Sequence, residues 1–151
     1  MSTDHGIPLH DLLDFEFVSP EPGATTAEVR MPIGPGSVGP TGNLHGGAIA
    51  TLVDLASALA AAKATGFDLE RESLITTDMH VRYLGRPRTD GVIGRSSIVR
   101  VGRQLIVVDC EVVDDDGHLV AAADVALMVV PLRRPLDAIE GEGSAGSEAS
   151  S

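Results

Sequence analysis

A pair of glycines followed by one acidic residue is the part of this sequence whose residue types and spacing suggest chemistry. Gly46 and Gly47 open a predicted helix, whose first backbone N–H groups are unpaired and can stabilise an oxygen that becomes negative during a reaction. Asp54 is the only acidic residue of that helix, and a carboxylate among apolar neighbours is costly to bury unless it is paired or used. Simpler interpretations are a tight turn for the glycines and, for the acid, a solvated polar stripe with Thr51 and Ser57.

The spacing of these groups predicts a site that is built by two subunits. Gly47 and Asp54 are seven residues apart, which corresponds to about 10 Å along a helix. A reacting carbonyl must lie about 3 Å from both its oxyanion donor and its attacking group. If both act on one carbonyl, a neighbouring subunit has to supply one of them, so we expect a homodimer with the active site at its interface.

The elements that must position these groups follow from the periodicity of the chain. Residues 46–65 are rich in Ala and Leu and contain no Pro, which predicts a helix, and their nearly continuous apolar character predicts that it is buried. The other predicted elements are a short helix at 8–14, a hairpin with arms at 15–18 and 25–31, a Gly/Pro-rich loop at 32–43, and strands at 75–83, 91–101, 106–112 and 119–130 that form antiparallel neighbours. The expected fold class is α+β, with a long central helix wrapped by an antiparallel sheet.

The strand predicted at 75–83 has one polar side. Thr76, Asp78, His80 and Arg82 alternate there in a clean period of two with the other residues of the strand, which are Ile75, Thr77, Met79, Val81 and Tyr83. A period of two places such residues on the same side of a strand, so the sequence predicts that Thr76 shares the polar side.

Charge and composition bound the partners. The chain has 151 residues and a formal net charge of −11, which argues against nucleic acid or an anionic membrane as the main partner because both need a basic surface. Residues 1–132 are predicted to form one domain, and residues 133–151 a disordered acidic tail. No secretory signal is visible at the N-terminus, so we expect a cytoplasmic location.

Metal and disulfide chemistry have little support in the sequence. The single cysteine, Cys110, excludes an intrachain disulfide framework and a CxxC metal site, and a small buried apolar role is the simpler interpretation. The histidines outside the glycine motif show no metal-ligand spacing. We therefore expect neither a metal nor a cofactor.

Several segments together resemble a known family. They are HGG at the helix start, LVDLA around Asp54, TTDMHVRYLGRP, and VRVGRQLIVVDCEVVDDDGHLVAAADVALMVV. In this order, over roughly residues 15–130, they resemble the hotdog-fold acyl-CoA thioesterases of the phenylacetic-acid-degradation (PaaI-like) type. The resemblance implies a dimer, often a dimer of dimers, that hydrolyses acyl-CoA thioesters to a carboxylate and free CoA.

The resemblance also implies roles for individual residues. The backbone N–H of Gly46 or Gly47 would polarise the thioester carbonyl, and His45 would help to shape this oxyanion hole. Asp54 of the partner subunit would act as nucleophile or general base. Thr76 matches a position where the family often places a hydroxyl near the attacking water.

One position departs from the family pattern, and other readings stay open. The family often has Asn or Gln six residues before the HGG histidine, where this chain has Gly39, and Asn43 is the nearest substitute. A non-catalytic acyl-CoA-binding module and an acyl-thioester dehydratase on the same fold are the alternatives. Phenylacetyl-type, hydroxybenzoyl and medium-chain acyl groups all fit.

Arginines are the candidates for binding the CoA phosphates. Arginine suits phosphate because its guanidinium donates two hydrogen bonds in a fork. Arg86 and Arg88 follow the first long strand, and Arg103 lies in a later turn. Arg86 and Arg103 are the preferred pair, although solvated turn charges are a simpler interpretation for each of them.

Overall fold

Six strands form one antiparallel sheet that curves around a long helix. The computed structural model describes residues 6–18 and 20–133, so the predicted acidic tail lies outside the described residues except for Arg133. In chain order the elements are α1 (Pro8–Leu13), β1 (Glu16–Phe17), β2 (Thr26–Pro32), α2 (Gly46–Thr65), β3 (Glu72–Tyr83), β4 (Gly91–Val101), β5 (Ile106–Asp114) and β6 (Leu119–Pro131). The strand order across the sheet is β1-β2-β4-β5-β6-β3, and every neighbouring pair is antiparallel. The predicted α+β fold is confirmed.

Helix α2 is capped at both ends by its own sequence. His45 precedes it in an extended conformation, and the side chain of His45 accepts a hydrogen bond from the backbone N–H of Gly47. At the other end Gly66 adopts the left-handed conformation (φ 57°), which glycine adopts without strain, and its N–H bonds to the carbonyl of Ala62. The helix predicted over residues 46–65 is therefore confirmed.

Small residues bring α2 close to the sheet. Leu52, Val53 and Ala56 are completely buried on the face that meets the strands. A Cβ placed on Gly94 of β4 would lie 3.1 Å from Leu52 and 3.2 Å from Ala56, so this contact has little room for a larger residue. The hydroxyl of Ser96 donates a hydrogen bond of 2.7 Å to the carbonyl of Ala56, which fixes the helix against the sheet.

The apolar character of α2 also meets a simple test for a membrane span. Within the described residues it is the one helix that is long and apolar enough, with 20 residues and a mean hydropathy of 1.4. The core helix of a soluble protein passes the same test, and α2 packs against five strands of the sheet.

The four strands after α2 are neighbours, as predicted, but β3 does not lie beside β4. It begins at Glu72, earlier than expected, and pairs with β6 at one edge of the sheet. Because the chain crosses from this edge to β4, the 12-residue strand β3 keeps one side without a strand neighbour in the described chain.

A β-bulge in β3 corrects the prediction for its polar side. The register shifts between Thr76 and Asp78, so Thr76 pairs with the buried Leu127 whereas Asp78 pairs with Ala126. Cross-strand partners share a face, and alternate residues of β6 lie on opposite faces. Thr76 therefore faces α2 instead of sharing the outer face with Asp78, because the extra residue, Thr77, reverses the alternation.

Candidate active site

One backbone N–H at the start of α2 has no partner among the described residues. The N–H of Gly47 donates to Nδ1 of His45 at 2.8 Å, and the next two N–H groups bond to the His45 carbonyl at 3.0 and 3.1 Å. Gly46 is the first residue of the helix, so its N–H has no acceptor within the helix, and none of the described residues supplies one. Of the two glycines, Gly46 thus has the N–H that is free to bind a ligand oxygen.

Asp54 is held by the bulged strand. The Thr76 hydroxyl donates a hydrogen bond of 2.6 Å to Oδ1 of Asp54, a short distance that is typical of bonds to a carboxylate. Among the described residues, none donates to Oδ2. One carboxylate oxygen is therefore fixed, and the other is available to attack a carbonyl or to accept a proton from water.

The solvated polar stripe does not describe the surroundings of Asp54. Ser57 is completely buried, so it cannot belong to a solvated stripe. The hydroxyl of Thr51 bonds back to the carbonyl of Gly47 at 2.8 Å. Asp54 itself is half-buried beside Thr76.

Tyr83 contacts the glycine pair, a role that the sequence analysis missed. Its hydroxyl donates a hydrogen bond of 3.0 Å to the carbonyl of Gly46, and a Cβ on Gly46 would lie 3.5 Å from its ring. Tyr83 is the only tyrosine of the chain and the last residue of β3, and that combination is the signal that could have drawn attention to it.

Gly46 and Asp54 lie apart within one subunit. They are eight residues apart in the same helix, about 12 Å at the usual rise. The strand residues that contact them, Tyr83 and Thr76, lie at different places along β3, about 20 Å apart in an extended strand. One chain therefore contains both functional groups but does not bring them to a single carbonyl.

The positions around the HGG motif form the wall of a small cavity. Asn43 and Arg86 are among the residues that line a cavity of about 230 Å³ beside the start of α2. The Asn43 side chain also donates to the hydroxyl of Thr41 at 3.0 Å. A Cβ on Gly39 would lie 3.6 Å from the His45 ring, so the position where the family often has Asn or Gln does adjoin the motif.

The predicted arginines are not brought together in one chain. Arg86 lies just beyond the end of β3 that carries Tyr83, and Arg103 is one of the residues that line a separate cavity of about 430 Å³ at the β4–β5 turn. That turn is at the Thr76 end of the sheet, because Thr76, Leu127 and Ile106 share one row of cross-strand pairs.

Arg88 is fixed through its backbone. Its N–H donates to Asp114 at 2.9 Å, and Asp114 also accepts from the N–H groups of Asp116 and His118. The bond from Arg88, opposed by burial and helped by the other two, lowers the pKa of Asp114 below its ordinary value. Asp114 thereby ties the loop that contains Arg86 to the β5–β6 turn.

Comparisons with known proteins identify the family. Residues 41–121, more than half of the chain, match the thioesterase superfamily, and the chain belongs to this superfamily. A Halobacterium salinarum protein that carries an esterase name is 37% identical over 113 residues, which are 69% of this chain and 70% of that protein. The protein is therefore a thioester hydrolase.

Solved structures confirm the hotdog fold. A thioesterase of Pseudomonas aeruginosa is 25% identical and has a TM-score of 0.72, over 81% of this chain and 85% of that chain. A Bacillus halodurans protein crystallised with CoA is 30% identical and has a TM-score of 0.68, over 81% of this chain and 75% of that chain. A Streptococcus mutans protein bound to acetyl CoA is 26% identical and has a TM-score of 0.66, over 80% of this chain and 91% of that chain.

Proposed function

We propose that this thioester hydrolase acts on acyl-CoA, at a site that two copies of the chain build together. The observation that carries the proposal is the pairing of a free N–H at Gly46 with a Thr76-bound carboxylate at Asp54, on one helix but too far apart to share a carbonyl. The relatives with CoA and acetyl CoA support CoA as the carrier of the acyl group.

The exposed edge of β3 is the surface that we propose for pairing. A two-fold axis joins the same surface of both subunits, so two β3 strands would pair antiparallel. Pairing centred on His80 would keep cross-strand partners on the same face, and because Thr77 is the extra residue of the bulge, it would place Thr76 opposite Tyr83 of the partner subunit. Since Tyr83 contacts Gly46 and Thr76 contacts Asp54, this register brings the N–H of one subunit towards the carboxylate of the other.

The reaction follows from these two groups. The Gly46 N–H donates a hydrogen bond to the thioester oxygen and so stabilises the negative charge that develops there. Asp54 of the partner subunit either attacks the carbonyl carbon, forming an anhydride that water then hydrolyses, or takes a proton from the water that attacks. In both routes the C–S bond breaks, the acyl group leaves as a carboxylate, and the CoA sulfur takes a proton.

The same two-fold symmetry groups the arginines. Arg103 lies at the Thr76 end of the sheet, and Arg86 lies at the Tyr83 end, next to Asn43. Antiparallel pairing of β3 would place the Thr76 end of one subunit beside the Tyr83 end of its partner. Arg103 of one subunit and Arg86 of its partner would then flank one CoA, and Arg88 lies in the same loop as Arg86. A further association into a dimer of dimers remains a prediction.

The first test is the release of free CoA thiol from a panel of acyl-CoAs by wild type and by Asp54→Asn. The amide oxygen of Asn can still accept the Thr76 bond, so the variant removes the charge and little else. We expect thiol release by wild type and a loss of about a thousandfold or more in the variant. Asp109→Asn, which neutralises an exposed carboxylate on the outer face of β5, is the matched control and should retain activity.

The same assay separates the alternatives. Turnover by Asp54→Asn close to that of wild type would refute the role of Asp54. Binding of the panel by wild type without any thiol release would instead favour an acyl-CoA-binding module, the reading that Gly39 keeps open because the chain has no side-chain amide at that position.

A further inference from the structure

The two glycines at the start of α2 have no side chains with which to hold their own position. Glycine is the most flexible residue of the chain, and two in succession give the first helical turn many accessible conformations. An oxyanion donor, however, must be held within about 0.5 Å and 10–20° of its productive geometry. Neighbouring groups therefore have to fix the backbone at Gly46 and Gly47.

Two side chains hold the peptide group that joins these glycines. The Tyr83 hydroxyl donates a hydrogen bond of 3.0 Å to the carbonyl of Gly46, and the His45 side chain accepts a hydrogen bond of 2.8 Å from the N–H of Gly47. The carbonyl and the N–H belong to the same planar peptide, so the two bonds fix it from opposite ends. This plane is joined at the Cα of Gly46 to the preceding peptide, which carries the Gly46 N–H and whose carbonyl accepts the first helical hydrogen bonds, so fixing both planes limits where that N–H can point.

We propose that Tyr83 is a positioning residue, which fixes the Gly46–Gly47 peptide so that the Gly46 N–H is aimed at the thioester oxygen. The identity of that oxygen rests on the proposed function, whereas the contacts between Tyr83 and Gly46 do not depend on it. The ring packs against Gly46, where a Cβ would be 3.5 Å away, so the contact also limits how far the helix start can move. Tyr83 stands at the end of β3, and it thereby links the strand edge that we propose for pairing to the oxyanion donor.

The decisive variant is Tyr83→Phe, which keeps the ring and removes the hydroxyl. We expect kcat for acyl-CoA to fall about tenfold, less than for loss of a direct oxyanion donor, and KM to change by less than about twofold. The matched control is Thr65→Val, which removes another hydroxyl-to-carbonyl bond, from Thr65 to Ala61 at 2.8 Å, at the far end of the same helix. This control should keep the wild-type kcat.

A second readout does not depend on activity. In protein labelled with ¹⁵N-glycine, the amide signals of Gly46 and Gly47 should shift in Tyr83→Phe, and the Gly47 amide should exchange with solvent faster than in wild type or in Thr65→Val. Unchanged glycine signals, or a kcat equal to that of Thr65→Val, would overturn the role of Tyr83. If wild type releases no thiol from any acyl-CoA, the proposed function fails, and the glycine amides alone then decide whether Tyr83 fixes the peptide.

Discussion

Removing the N–H of Gly46 tests the oxyanion hole, because one substitution can delete this donor without disturbing the helix. Proline has no backbone N–H, and the first position of a helix is where proline is best tolerated. Gly46 is that position and its φ is not positive, while His45 has a ψ of 130°, which suits the residue before a proline. No hydrogen bond is lost, so we expect Gly46→Pro to change the free energy of unfolding by less than about 1 kcal/mol.

The expected effect on catalysis is large. Loss of one oxyanion donor typically lowers kcat by about a hundredfold to a thousandfold, or roughly 3–4 kcal/mol of transition-state stabilisation. Gly46→Ala is the control, because it keeps the N–H and its Cβ would make an ordinary contact with Tyr83 at 3.5 Å. The assay is steady-state thiol release from the best acyl-CoA. A kcat for Gly46→Pro within about threefold of that for Gly46→Ala would refute the assignment of this N–H.

Mixing two inactive variants tests whether the site is shared. In a dimer of one Gly46→Pro chain and one Asp54→Asn chain, one of the two sites combines both substitutions and the other contains none. Random association makes half of the dimers mixed, so co-expression or joint refolding should restore about a quarter of the wild-type activity. A mixture no more active than its parents would show that Gly46 and Asp54 do not act across an interface.

Three further predictions concern the side chains of Thr76, Cys110 and Asp114. Thr76→Val should lower kcat by roughly tenfold or more, since a hydrogen bond to a charged group contributes about 1.5–3 kcal/mol, whereas Thr76→Ser should retain most activity; equal rates for the two would contradict the role of the hydroxyl. Burial raises the pKa of Cys110 to about 12, so its thiol should not react with a disulfide reagent at about pH 8 until the protein is unfolded; labelling of the native protein would contradict this. The pKa of Asp114 is lower in the folded protein than its ordinary value of about 4. At pH values above that ordinary pKa the charged carboxylate therefore stabilises the fold, and this stabilisation is lost as the pH falls through the lower folded pKa. Thermal melts of wild type and Asp114→Asn should therefore differ most near pH 7 and converge in acid, and a constant difference would contradict the account.

Helix α2 and most of the sheet could be predicted because their signals are local. The Ala-rich segment has helical propensity along its whole length and a glycine stop at Gly66, and β5 alternates between buried and more exposed residues from Ile106 to Val112. The place of β3 beside β6 could not be read in this way. Strand order depends on pairing between distant parts of the chain, and a short link predicts a neighbour only for the strands that it joins.

The bulge shows why a contact of a candidate site residue cannot be read from alternation. Alternation places Thr76 on the polar side of its strand, yet it contacts Asp54 because Thr77 adds one residue and reverses the face. A bulge changes no residue type, so hydrophobic periodicity cannot locate it, although Ile75, which is 42% exposed, is the outward-facing consequence.

The proposed dimer would account for the separation of the candidate functional groups within one chain. Gly46 and Arg86 lie at one end of β3, and Asp54 and Arg103 lie at the other, so neither the proposed catalytic pair nor the proposed phosphate-binding pair is complete in one chain. A two-fold axis near the middle of β3 exchanges these ends and would complete both pairs at once. Association through the outer face of the sheet, which carries Asp109 and Asp124, would leave both pairs divided. One symmetry operation would thus account for both separations, which favours the β3 edge over the outer face as the proposed dimer interface.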